Sequence, residues 1–200
     1  MTPHGVAEFL QLVSARRGHF LLESGYHGRL WLVLDPLFTE HQRLAPFVDA
    51  LASAIEKYNV DAVCGPLRGG AFLAQLLAAR LDAEFFFTER IDATLGSRLF
   101  SAQYRLPHGF ASRVHGRRVA IVDDVMSTGS SLRATYEALK ARDAEPVVAG
   151  ALLTLGSRGR EFFEAQQVPV EAVAREGYET WAPSECPLCA GQIPLENMSY

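Results

Sequence analysis

Apolar residues recur at helical spacing at Val6, Phe9, Leu10 and Val13, which predicts an opening helix. Between residues 20 and 34 the period changes to two and predicts two short strands around Ser24-Gly25-Tyr26. Leu44, Phe47, Val48, Leu51 and Ile55 restore the helical period over residues 42–58, and residues 60–64 follow as a short buried strand. The run Gly65-Pro66-Leu67-Arg68-Gly69-Gly70 then leads into a helix over residues 71–81 and a strand over 84–88. Residues 90–116 have poor periodicity and read as a long loop. Beyond it come a buried strand (118–122), a helix (130–142), a strand (146–153), a helix (161–167), a strand (168–174) and an irregular tail. Strands alternating with helices predict an α/β fold with a parallel sheet.

Composition adds limits. At 48% hydrophobic over 200 residues, the chain holds enough core material for one well-packed domain. Nineteen basic against 23 acidic residues give a net charge of −4, which excludes a broad basic field for nucleic acid or an anionic membrane. No apolar run reaches about 18 residues, and the first residues interleave acid and amide groups with apolar ones, unlike a secretion signal. With three cysteines, too few for a disulfide scaffold, the chain reads as cytoplasmic.

Candidate chemistry is concentrated in residues 119–131. Four apolar residues, Val119 to Val122, run into the adjacent carboxylates Asp123 and Asp124, and Val125-Met126-Ser127-Thr128-Gly129-Ser130-Ser131 follows at the start of a helix. The carboxyl edge of a parallel sheet is where open α/β folds bind ligands. Hydroxyls and open backbone N–H groups at a helix start form a cradle for a phosphate dianion. Carboxylates beside that cradle would repel the phosphate, so they suit neutral hydroxyls or a divalent cation. A ribose 5-phosphate meets both demands. In the earlier loop, Gly65, Gly69 and Gly70 allow close backbone approach to an anion and Arg68 supplies charge.

The 119–131 segment resembles the phosphoribosyl pyrophosphate (PRPP) motif of type I phosphoribosyltransferases. Residues 18–27 are similar to the N-terminal hairpin of orotate phosphoribosyltransferases, residues 64–70 to the family's pyrophosphate loop, and the tail from Glu185 to Glu196 to tails of some bacterial members. The resemblance implies one domain over 1–200. A hood comes from 1–40 and about 155–200, and a core from 41–154 carries a flexible catalytic loop at 90–116 that reaches a partner in a homodimer. It further implies that a base attacks C1 of PRPP, that pyrophosphate leaves, and that Mg²⁺ bridges pyrophosphate and ribose hydroxyls.

By this resemblance PRPP is held by Asp123, Asp124, Val125, Met126, Ser127, Thr128, Gly129, Ser130, Ser131, Pro66, Leu67, Arg68, Gly69 and Gly70. The base meets Ser24, His27, Thr128 and Arg158, with Arg160 as the alternative to Arg158. Asp123 and Asp124 approach Mg²⁺ through PRPP, and Asp123, Asp124, Arg90 and Arg105 are the catalytic set.

Three departures bear on the acceptor. Lys57 and Lys140 are the only lysines and both lie on predicted helices, so Arg90, with Arg105 or Arg98, must replace the family's catalytic lysines. Glu23 stands where relatives carry a cation, and would repel the carboxylate of orotate unless a cation such as Arg29 intervenes. Arg158 arrives after a small apparent insertion. The alternatives are therefore a purine or other base as acceptor, or a non-catalytic PRPP-binding regulator. Cys186 and Cys189 have zinc-ligand spacing but form only half a site, with Cys64 in a distant strand, and the sequence leaves open whether they bind zinc. Trp31 and Trp181 are read as hood packing.

Overall fold

A computed structural model describes residues 5–91 and 99–198. The long apolar runs form the interior of a six-stranded sheet: β3 (Ala62–Pro66), β4 (Glu84–Ile91), β6 (Arg118–Met126), β7 (Glu145–Leu155) and β8 (Val170–Glu176), with β5 (Gln103–Arg105) at one edge. The order is β5-β4-β3-β6-β7-β8, parallel throughout except for the antiparallel β4–β5 pair. Such strands are apolar on both faces because both faces are covered. Val63, Ala120, Val122 and Val148 meet α2 (His41–Ile55) and α3 (Gly69–Leu81), while Ala62, Cys64, Val119, Ile121 and Ala149 meet α4 (Ser130–Lys140) and α5 (Arg158–Ala165). Cys64 is fully buried, and burial pushes its thiol pKa upward, as for an inert core residue.

A second sheet of four strands roofs one end. After a short α1 (Val6–Leu10), β1 (Ser14–Leu21) and β2 (His27–Val33) form an antiparallel hairpin with a register shift between Arg17 and Phe20. The tail supplies β9 (Thr180–Trp181), antiparallel to β2, then α6 (Pro187–Ala190) and β10 (Glu196–Asn197), parallel to β1. The first and last strands of the chain are thus neighbours.

Three sequence expectations change. β1 begins at Ser14, not near residue 20, because its first four residues face solvent and carry no readable alternation. The tail is not irregular: two strands and a helical turn tie it to the hairpin. Residues 90–116 are not a single loop. β4 continues to Ile91 and pairs with β5 in the register Glu89↔Arg105, and Leu106 and Val114 are buried. Arg98 lies outside the described residues.

Candidate active site

Asp123 and Asp124 lie at the carboxyl end of β6, which continues to Met126, and both are almost fully buried. The Asp124 amide donates to Asp123 Oδ1 (3.0 Å), and the Val125 amide to Asp124 Oδ1 (2.7 Å). Ser131 Oγ donates to Asp123 Oδ2 at 2.6 Å, the length of a charge-assisted bond. Neither carboxylate has a cationic partner among the described residues. Burial therefore dominates: it pushes Asp124 up to about 6, and raises Asp123 with the help of the Asp124 charge. Such a pair is poised to accept hydrogen bonds from hydroxyls or to hold a cation.

The loop after β6 turns into α4 through Gly129 at φ 75°, the left-handed region that favours glycine. Thr128 and Ser130 are buried there, and Ser130 Oγ has no hydrogen-bond partner among the described residues. An orphaned hydroxyl beside the first amides of an eleven-residue helix suits a phosphate oxygen. Across from it, the β3–α3 loop turns through a cis Leu67–Arg68 peptide. A Cβ on Gly69 would overlap Oδ2 of Asp124, and one on Gly70 would lie 2.8 Å from Asp123 Oδ1. The paired glycines are what let the loop close over the carboxylates.

Both loops open into a cleft of about 720 Å³ between the large sheet and the hood. Val125, Ser127 to Ser131, Pro66, Leu67, Arg68, Gly69, Asp123 and Asp124 line its floor, and Ser24, Glu23, Trp31, Leu32 and Tyr178 its hood side. Arg68 is the only Arg or Lys among these described lining residues, against Glu23, Asp35, Asp123 and Asp124. A cleft so short of protein cations suits a polyphosphate that brings a divalent cation with it.

Not every expected residue reaches the cleft. Met126 and Gly70 sit behind it, Met126 buried against Gly159. Arg105 faces away on the edge strand, mostly exposed, 3.6 Å from Glu89. Arg90 pairs with Glu23 at 3.3 Å, and Tyr104 donates to the same Glu23 oxygen at 2.8 Å. The cation that answers Glu23 is therefore Arg90 rather than Arg29, whose guanidinium lies over Trp181. Arg158 donates to Thr180 Oγ1 (3.1 Å) and stacks on Tyr26, bracing the hairpin tip.

His27 is not turned toward the cleft. Its Nδ1 lies 3.0 Å from His19 Nε2 and 3.3 Å from Cys189 Sγ, on the far side of the hood. Burial and the His19 ring lower its pKa, so it is neutral at pH 7. Sequence reasoning missed Tyr104, Tyr178 and Asp35. Tyr178 fixes β2 by accepting from Leu30 N and donating to Leu30 O. No local pattern marks them, since each reaches the site from a different element.

A phosphate cradle, two buried carboxylates and a glycine loop under a small second sheet define a phosphoribosyl-transfer enzyme. Residues 38–176 match the phosphoribosyl transferase domain family, to which the chain belongs. It is 31% identical over 193 residues, 96% of each chain, to an orotate phosphoribosyltransferase of Thermotoga maritima. Among solved structures, the orotate phosphoribosyltransferase of Aeropyrum pernix is similar, with a TM-score of 0.60 and 25% identity over 80% of this chain and 87% of that one. An adenine phosphoribosyltransferase of Thermoanaerobacter pseudethanolicus shares the fold, with a TM-score of 0.66 and 18% identity over 86% and 99%. No described helix is long and apolar enough to cross a membrane.

Proposed function

We propose that the protein transfers ribose 5-phosphate from PRPP to orotate, as a Mg²⁺-dependent cytoplasmic homodimer. A ring nitrogen of the base forms a bond to C1 as the C1–pyrophosphate oxygen bond breaks, and pyrophosphate leaves. The observation that carries this reading is the buried Asp123–Asp124 pair beside the orphaned Ser130 hydroxyl. In this reading, Ser127 to Ser131 hold the 5-phosphate, Asp123 and Asp124 accept from the ribose hydroxyls, and Arg68 with its loop meets the pyrophosphate. Ser24 and Thr128 lie beside the base. Mg²⁺, when bound with PRPP, supplies the positive charge that the cleft lacks. No protein nucleophile is needed, so catalysis consists of positioning, electrostatic stabilisation and water exclusion.

Two observations support the finer points. Arg90 cancels Glu23, which removes the objection that an acidic residue there would repel orotate. Phe72 (50%) is exposed beside the cleft, as a subunit interface would use it. A second reading, in which the acceptor is a base without a carboxylate, is favoured by the cleft lining, where Arg68 is the only Arg or Lys among the described residues.

Pyrophosphate release from PRPP and Mg²⁺ separates the readings. Orotate alone among orotate, uracil, hypoxanthine, guanine, adenine and xanthine is expected to give release, and chelation of Mg²⁺ to abolish it. Release with adenine or guanine but not orotate would transfer the assignment to the second reading. In Arg90→Ala, loss of the guanidinium beside Glu23 is expected to raise KM for orotate roughly tenfold, about 1.4 kcal/mol, with a smaller change in kcat. An unchanged KM would show that Glu23 does not act on the base.

A further inference from the structure

The hairpin and the tail meet at a group of side chains that phosphoribosyl transfer does not use. His19, His27, Cys186 and Cys189 each offer one ligand atom, and the four atoms lie within 4.8 Å of one another. His19 Nε2 is 3.4 Å from Cys186 Sγ, 3.8 Å from Cys189 Sγ and 3.0 Å from His27 Nδ1, and His27 Nδ1 is 3.3 Å from Cys189 Sγ. Ligand atoms around a tetrahedral zinc, at about 2.3 Å for sulfur and about 2.0 Å for nitrogen, stand roughly 3.3–3.8 Å apart. The observed spacings fall at or near that range. We propose that His19, His27, Cys186 and Cys189 bind a structural zinc ion that locks the N-terminal hairpin to the C-terminal tail.

Hydrogen bonding alone does not account for the cluster. His19 Nδ1 lies 2.8 Å from the Ile193 carbonyl, which only accepts, so Nδ1 carries the proton and Nε2 presents its single lone pair. Three groups converge on that lone pair, which can serve one donor. A cation instead uses a lone pair from each of the four ligands. The Ile193 carbonyl then acts as the outer partner that fixes a ligating histidine's tautomer and orientation. Two cysteine thiols lose their protons to the solvent on binding, and two thiolates with two neutral imidazoles balance the ion's charge in a site where three of the four residues are buried. The S₂N₂ tetrahedral set suits zinc, and the filled coordination leaves no open position for catalysis.

The fold gives such a clamp a purpose. β9 and β10 are two residues each, too short to hold the tail against the hairpin unaided. The ion would close a loop spanning 167 residues between His19 and Cys186 and set the height of Ser24 above the cleft. This inference stands independently of which base is the acceptor, and its test reads metal and melting rather than turnover.

Protein purified without chelator is expected to carry about one zinc per chain by mass spectrometry of metals. Stripping it is expected to lower Tm by roughly 10 °C, reversed by added Zn²⁺ but not Mg²⁺. Cobalt(II) added to the stripped wild-type chain should give the visible absorption of a tetrahedral thiolate site, a readout that needs no variant to fold. Cys189→Ser should lose the metal, and Cys64→Ala should keep it. Failure of the stripped protein to take up zinc would overturn the proposal. So would zinc retained in Cys189→Ser, or a Cys186–Cys189 disulfide in protein isolated under reducing conditions.

Discussion

Asp124→Asn is expected to fold, to lose phosphoribosyl transfer by about 10²–10³-fold, and to melt no lower than the parent protein at pH 7. The loss follows from the proposed role: the carboxylate lines the cleft beside Asp123 with no cationic partner among the described residues, and in that reading it acts on the ribose hydroxyls or their metal. The stability follows from burial. The Asp124 carboxyl is pushed up to about 6, so the folded chain holds this proton more tightly than the unfolded chain does. As pH rises from the ordinary carboxylate range through that value, the folded state therefore loses stability, by at most about 3 kcal/mol. Asparagine cannot ionise and escapes the loss while keeping an acceptor for the Val125 amide. The Tm difference between variant and parent should grow from pH 4 to pH 7 without ligand, and Mg²⁺ with PRPP should raise the parent's Tm alone. A variant that retained turnover, or a Tm difference flat in pH, would remove Asp124 from the role assigned to it.

The contrast between the two ends of the fold explains what the sequence made legible. The β6–α4 segment carries its chemistry in consecutive residues, so strand, carboxylates and cradle are read together, and the fold places them on one cleft. The β3–α3 loop was legible for the same reason: its glycines, proline and arginine are adjacent. The hood was not, because its groups meet only through register. Leu21 pairs with His27 in the hairpin, which puts His19 and His27 on one face, and the tail then brings Cys186 and Cys189 to them from the other end of the chain. The cysteine pair alone read as half a site, and the other half lay at a period of two across a turn. Glu23 misled in the same way, since its countercharge, Arg90, comes from the end of a strand in the other sheet. The family resemblance puts Arg105 in the lid as a replacement for a catalytic lysine, but pairing with β4 turns it to the opposite face from Tyr104.

Gly69→Ala sets two effects of known size against each other. Gly69 opens α3, and alanine there should favour the helix by up to about 1 kcal/mol. The added Cβ, however, would overlap Oδ2 of Asp124. Something must yield, and the carboxylate is the softer partner because a side chain can rotate while the loop backbone is held by the Leu67 amide donating to Thr88 O at 2.8 Å. The variant should therefore fold with Tm within a few degrees of the parent, yet lose activity about a hundredfold or more, because a misplaced carboxylate forfeits its alignment with the ribose. Gly65→Ala provides the contrast: its Cβ would overlap the Gly70 carbonyl, a backbone atom that cannot step aside, and the chain should be destabilised by several kcal/mol. Thermal melts and pyrophosphate release on both variants check the pair. A fully active Gly69→Ala protein would mean that Asp124 tolerates displacement and that the close approach of loop to carboxylate serves packing alone.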